Sequence, residues 1–437
     1  MASHHLERIY VSLISTESLP DIRLLLEDPE TYIQTDITQV NAITGRWSQG
    51  ATGWPLGSSG QRPLFPRLHA FAVACVQSQP QKLQGNTRGM EETTYAPSQG
   101  HLERLARFMV PQSNLGSVIR EATSTGLHPF DKWEEQILKV DLRFVAATLL
   151  QHLADGSSRD AFLGKKTESV DQGLLDLLQL LLEQPDLNII HDKLLRSQLK
   201  LAKHTGLYPT SLQHNTIGNC TASPVAVGGF GDVYKARLGD QDVAVKVMRG
   251  AVAGGLSQHS LIKCFAQEVV LWSHVSHLNI LPFYGVHVSS SEQHGTPPRV
   301  SLLSPWMENG NIIEYNKANP HIERGALVLD IVRGLDYLHS FNPSIVHGDL
   351  KGDNILVSPS GRACIADFGL GRLVQDKGWL TSAASTLFGA HLYLAPELLD
   401  DQPTDIGYTA KRSLSTDVYA FGCVCYEVLL DAVVQLG

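Results

Sequence analysis

The stretch SIVHGDLKGDNILV (344–357) constrains this chain most, because it places His347, Asp349, Lys351 and Asn354 in one loop between apolar, strand-like flanks. An aspartate that accepts a hydroxyl proton and an asparagine that holds Mg²⁺ both need that rigidity. In CIADFGLGR (364–372), Asp367 ends a β-branched run and precedes Phe368 and Gly369. Such a carboxylate suits chelation of Mg²⁺ between β- and γ-phosphates. Upstream, VAVGGFGDVYKA (225–236) carries Gly228 and Gly231, where backbone N–H groups can approach a phosphate chain. Next comes VAVK, with Lys246 in an otherwise apolar strand that is costly unless the ammonium finds a partner. Glu268, in FAQEVVLWSHV on a predicted helix, offers one. Taken singly, these are a hairpin turn, a solvent-facing lysine and a solvent-facing glutamate. In this fixed order, closed by Ala395-Pro396-Glu397, they are not coincidence.

Composition narrows the field around those motifs. Hydrophobic residues make up 43% of 437, enough for real cores, so global disorder is excluded. The net charge of −9 gives no electrostatic footprint for nucleic acid or an anionic membrane. Six scattered cysteines form no C-x-x-C pair, which points to a reducing, cytoplasmic setting rather than a disulfide framework or zinc site. The N-terminus lacks a signal-peptide pattern. The longest apolar run, 418–434, is broken by Gly422, Glu427 and Asp431, short of the ~20 apolar residues a membrane span needs. His274 and His277 sit at i, i+3, but the expected reading is structural rather than metal-ligating.

Three regions follow from the pattern along the chain. Residues 1–100 are expected to be poorly ordered, apart from a short amphipathic helix around Leu19–Glu27. Within them, 41–90 holds no Asp or Glu, whereas the chain's average of 44 acids in 437 residues would place about five there. That stretch reads as disordered or as a segment foreign to the natural transcript. Residues 101–210 are expected to be helical and of unknown role, with partner docking as one candidate. There Ser169 and Gln172 have capping-box spacing, Pro185 stops a leucine-rich run, and Gly206 with Pro209 closes a second helix. Beyond Cys220 the grammar becomes α+β.

Over roughly 213–437 the sequence resembles the eukaryotic protein kinases, with glycine loop, VAVK lysine, helix glutamate, HxDLKxxN, DFG and APE in kinase order. HLNILPFYGV, VSLLSPWMENGNI and DVYAFGCVCYE match intervening landmarks. The style is most similar to the tyrosine-kinase-like group, in particular its fungal members with HGDLKG. The resemblance implies a bilobal α+β fold, with a β-rich N-lobe and an incomplete helical C-lobe, preceded by the helical region. It implies an ATP- and Mg²⁺-dependent, serine/threonine-directed protein kinase in intracellular signalling. Val225, Gly228, Gly229, Phe230, Gly231, Val233 and Ala244 would then enclose ATP, with Ser304 as gatekeeper and Met307 in the hinge. Lys246 would hold phosphates, oriented by Glu268; Asp349 would be the catalytic base, Lys351 would neutralise the γ-phosphate, and Asn354 and Asp367 would hold magnesium.

Departures from the family pattern are also legible. Ala226 replaces the first glycine of the loop, Gly348 replaces an arginine that reads a phosphorylated activation loop, and Ala390 replaces a threonine. Activity independent of loop phosphorylation is therefore expected. The sequence ends just after the apolar helix beginning near Asp417, so a truncated C-lobe is expected, with Glu397 buried and unpaired. A catalytically impaired scaffold is the alternative reading. A small-molecule phosphotransferase is a weaker one, because DFG and APE are both present.

Overall fold

The computed structural model describes residues 2–15, 22–28, 31–32, 35–36, 38–40, 42, 62–78, 94–95, 100–123, 130–154, 162–164, 166–227, 231–248, 258–289, 299–367, 372–373, 390–398 and 412–430. The chain divides into two compact units, Met1–Leu207 and Tyr208–Gly437. Among the described residues, no helix is long and apolar enough to cross a membrane.

Among the described residues, the first unit is helical apart from one short antiparallel pair, β1 (Arg62–Pro63) with β2 (Thr94–Tyr95). It contains α1 (Ala2–Ile14), α2 (Ile22–Glu27), α3 (Pro66–Ser78), α4 (His101–Ala106), α5 (Met109–Thr123), α6 (Phe130–Ala154), α7 (Glu168–Leu182) and α8 (His191–Thr205). Ordered helices thus occur where little order was expected, at α1 and at α3. The second lies inside the acid-free stretch, and its residues 67–75 are all buried. A helix covered on every side has no use for acids, so the missing charge reports burial there. The rest of 41–90 lies largely outside the described residues. Arg67 ties α3 into place: its Nη1 donates to Asp36 Oδ2 at 2.8 Å and its guanidinium lies 5.3 Å from the Phe144 ring centre. Asp141 of α6 accepts the backbone N–H groups of Arg67 (3.2 Å) and Leu68 (3.0 Å), satisfying donors that open α3. Tyr10 of α1 stacks on Trp133 of α6 at 4.7 Å.

The leucine-rich run forms α7, but its N-cap is Thr167, and Ser169 falls inside the first turn without a capping bond. Pro185 starts a 3₁₀ turn, Pro185–Ile190, that leads into α8, and Gly206 (φ 78°) ends α8 in the left-handed conformation. A buried pair, Gln198 Nε2 to Gln179 Oε1 at 3.0 Å, fixes how α7 and α8 meet. Gly173 lets α7 approach α4 so closely that a Cβ would lie 1.9 Å from the Ala106 carbonyl oxygen. Backbone cannot step aside, so Gly173→Ala should cost this unit about 2–4 kcal/mol in a denaturant titration followed by far-UV circular dichroism.

The second unit opens with a six-stranded sheet in the order β3-β7-β8-β6-β5-β4. Its strands are β3 (Gln213–His214), β4 (Ala226–Val227), β5 (Gly231–Leu238), β6 (Gln241–Met248), β7 (Gly285–Ser289) and β8 (Arg299–Pro305). The long hairpin β5–β6 pairs Val233 with Lys246, Lys235 with Ala244 and Arg237 with Asp242. Cross-strand partners share a face, so those three pairs line one side. Ala236, Val243 and Val245 alternate to the other side and pack with Leu303. Helix α9 (Gln258–Ser273) follows the hairpin. Two-residue β3 joins the edge in parallel with β7, a strand no periodicity announces.

Below the sheet lie α10 (Ile312–Ala318), α11 (Arg324–Ser340) and α12 (Leu414–Leu430), with the antiparallel pair Ile355–Val357 and Ala363–Ile365. Asn279 joins the two layers: its side-chain amide donates to Ala363 O (3.0 Å), and its carbonyl accepts Ile365 N–H (2.9 Å). Helix α12 buries Asp417, Ala420, Val424 and Val428, while Val418, Tyr426, Leu429 and Leu430 are exposed. The all-round cover expected for this helix is therefore found on one side only among the described residues. Glu397 is exposed rather than buried, so the expected penalty for an unpaired buried carboxylate does not arise.

Candidate active site

The loop between the strand Ile345–Val346 and Ile355–Val357 is held from three directions. Asp417, 1% exposed at the start of α12, accepts Gly348 N–H through Oδ1 (2.9 Å) and His347 N–H through Oδ2 (2.8 Å). The same Oδ2 meets His339 Nε2 of α11 at 3.0 Å. Gly348 sits at φ 77°, a conformation that side chains rarely adopt, so glycine at that position has a backbone reason. His347 Nε2 lies 2.9 Å from Ala366 O, and Nδ1 accepts Asp349 N–H at 3.2 Å. Together these bonds require the proton on Nε2 and the lone pair on Nδ1.

This clamping presents the polar side chains predicted from sequence. Asp349 Oδ2 lies 3.2 Å from Lys351 Nζ, and Asn354 Nδ2 donates to Asp349 O (2.7 Å) and Oδ2 (3.1 Å). Asn354 O accepts Ala366 N–H at 2.8 Å, which makes Asn354 and Asp367 neighbours. Asp367 itself stands at φ 66°, strained for a non-glycine residue, and its Oδ1 pairs directly with Lys246 Nζ. Lys246 thus reaches across from β6 to the helical layer.

Glu268, expected to be the partner of Lys246, lies beyond ion-pair distance. It is 7% exposed, and its Oε1 has no hydrogen-bond partner among the described residues. Burial pushes its carboxyl up to about 7, against the pull of Lys246 and with a further push from Asp367. Burial acts to lower Lys246, but the Asp367 and Glu268 carboxylates outweigh it and hold the ammonium above its ordinary value. Burial likewise works to raise Asp367, yet Lys246 holds that carboxyl below the usual carboxylate range.

The shift at Glu268 gives a pH dependence with a definite sign. A folded-state value raised from 4.5 to about 7 means that protonated Glu268 favours folding. That contribution is complete below about pH 4.5 and is lost as the pH climbs through about 7. Glu268→Gln should therefore flatten the decline in stability between those limits, measured by urea unfolding of the whole chain across that range.

Of the remaining predicted residues, Val233 and Ala244 lie on the face of β5–β6 described above. Ser304 is buried on β8 opposite Ala244, and Val233 stands opposite Lys246. Val225 N–H donates to Val233 O at 2.8 Å while its side chain is exposed. Met307 follows β8, and its carbonyl accepts Gly310 N–H at 3.1 Å. Gly231 opens β5; Gly228, Gly229 and Phe230 lie outside the described residues. His277 is structural as expected: its Nδ1 accepts Asn279 N–H at 3.1 Å and its ring stacks on Tyr337 at 4.8 Å. Among the described residues, no three or more His, Cys, Asp or Glu side chains gather into a metal-binding cluster.

Two functional contacts escaped the sequence reading. Asp417 is the anchor of the loop, and only its place at the head of an apolar helix hinted at it. Tyr393 donates to Glu427 Oε2 at 2.7 Å, tying the segment before Ala395 to α12.

A strained aspartate paired with a strand lysine, beside a clamped Asp-Lys-Asn loop, is an arrangement suited to holding phosphates and a divalent cation. Comparison with known proteins agrees: residues 222–435 match the family model described as "Protein kinase domain". Residues 222–435, just under half of the chain, are thus similar to a protein kinase domain. The chain is 29% identical to serine/threonine-protein kinase STY46 of Arabidopsis thaliana, over 52% of this chain and 35% of that protein. It is 34% identical to receptor-interacting serine/threonine-protein kinase 3 of Rattus norvegicus, over 47% of this chain and 40% of that protein. Identity to serine/threonine-protein kinase CTR1 of Arabidopsis thaliana is 30%, over 47% of this chain and 23% of that protein. The matched region therefore spans two fifths or less of each of these relatives.

Proposed function

We propose that this chain transfers the γ-phosphate of Mg·ATP to a serine or threonine hydroxyl of a protein substrate in intracellular signalling. The observation that carries this reading is the convergence of Lys246–Asp367 and the Asp349–Lys351–Asn354 loop, joined through Ala366. Lys351 favours serine/threonine acceptors over tyrosine, and the names of the relatives point the same way. The HGDLKG loop (347–352) supports reading the chain as a fungal-type member of the tyrosine-kinase-like group. Cytoplasmic placement is supported by the cysteine spacing, and a partner-docking role for residues 101–210 by the exposed Met109 and Val110.

In this reading Asp349 orients the acceptor hydroxyl and receives its proton, while Lys351 offsets charge on the transferring group. Lys246, with its ammonium kept charged by Asp367, holds the non-transferred phosphates. Asn354 and Asp367 fit a hard divalent cation. Asp367 supplies carboxylate oxygen, and Asn354, with its amide nitrogen turned to Asp349, keeps its amide oxygen for the ion. Magnesium bound there would neutralise phosphate charge. Saturating Mg·ATP should raise the melting temperature of the whole chain by roughly 5–10 °C, and Lys246→Met should lose most of that shift. A cooperative melt without any shift would favour the impaired-scaffold alternative.

A further inference from the structure

On the face of the β5–β6 hairpin that carries Lys246 stands a second lysine with no place in the chemistry above. Lys235 is the cross-strand partner of Ala244, two register positions further from Gly231 than Val233 and Lys246 and on the same face. Its ammonium lies 5.2 Å from the Trp306 ring centre and 2.8 Å from Asp242 Oδ2. Asp242 also holds the backbone that follows β8, because its carbonyl accepts Trp306 N–H at 3.1 Å. Arg237 Nη1 supports the same carboxylate at 3.3 Å. Lys235, Asp242 and Trp306 thus close a triangle across three segments: β5, β6 and the Trp306–Met307 stretch that continues from buried Ser304.

We propose that Lys235 is a positioning residue for the adenine end of the nucleotide cleft, fixing Trp306 and the adjoining backbone through its seat on the ring and its pair with Asp242. The proposal rests on the nucleotide-binding reading above and names what sets that cleft's width at its outer edge. A cation over an indole face and an ion pair, each about a third exposed, are individually modest. Sharing one ammonium makes them act together.

The test uses the full chain and titrates Mg·ATP and adenosine by calorimetry against wild type, Lys235→Met, Lys235→Arg, Trp306→Leu and the Lys235→Met/Trp306→Leu double variant. Lys235→Met and Trp306→Leu should each weaken Mg·ATP roughly three- to tenfold, and the double variant should be no weaker than the worse single. Lys235→Arg, which keeps both the ring seat and the ion pair, should stay within about twofold of wild type. Adenosine, which has no phosphate, should lose the same factor in Lys235→Met. An unchanged affinity in Lys235→Met, losses that multiply in the double variant, failure of arginine to rescue, or a loss confined to Mg·ATP would each overturn the proposal. A wild type that binds Mg·ATP but phosphorylates no acceptor sinks the kinase reading alone, and these binding data still decide the role of Lys235. A wild type that binds no nucleotide overturns both.

Discussion

Asp417→Ala should unfold the active site at temperatures where the wild type is intact, lowering the melting temperature by roughly 10 °C. The carboxylate is almost fully buried and satisfies two backbone donors, His347 N–H and Gly348 N–H, besides meeting His339 Nε2. A methyl group leaves both N–H groups without partners in a closed interior, where each costs about 1–3 kcal/mol. The sum, about 2–6 kcal/mol, is a large fraction of an ordinary domain's stability. Gly348 adds to the effect, because its left-handed backbone (φ 77°) is held by the bond that would be lost. Asp417→Asn keeps one acceptor oxygen but turns an amide donor toward a backbone donor, so it should fall between wild type and alanine. Differential scanning calorimetry of the three full-length proteins gives that order directly. Equal melting temperatures would mean that the loop is held by its apolar flanks alone.

Asp349→Asn should lower kcat by about 10²–10⁴ while leaving nucleotide binding near wild type. Asp349 meets Lys351 and Asn354, whereas Lys246 pairs with Asp367, so the two carboxylates have separate partners. An amide in place of Asp349 retains the shape of the loop but cannot take a hydroxyl proton. Retained Mg·ATP stabilisation beside lost transfer is the signature expected of a base. Loss of both together would mean that Asp349 instead helps to bind the nucleotide.

The grouping of the loop side chains was legible because it is local: His347, Asp349, Lys351 and Asn354 lie within one loop. What holds that loop was not legible, because Asp417 is 70 residues from His347 in sequence and acts only once α12 has docked. The pairing of Lys246 was misassigned for a related reason. Sequence order offers Glu268 as the first carboxylate, but the left-handed backbone of Asp367 (φ 66°) brings its carboxylate to the ammonium instead.

Burial misled in both directions elsewhere. The acid-free stretch around α3 looked foreign, yet Arg67, Asp36 and Asp141 build a buried polar cluster that secures it. Glu397 was expected to be buried by analogy and is exposed. Hydrophobic periodicity finds a helix with one solvated face, but it carries no information on a helix buried all round or on a two-residue edge strand such as Gln213–His214.

The most direct measurement is transfer of radiolabelled γ-phosphate from Mg·ATP to a generic protein acceptor by the purified full-length chain, beside Asp349→Asn and Lys246→Met. The account predicts Mg²⁺-dependent labelling on serine and threonine with wild type and near-background labelling with both variants. Labelling that survives in Asp349→Asn, or a folded wild type that binds Mg·ATP and labels nothing, would contradict it.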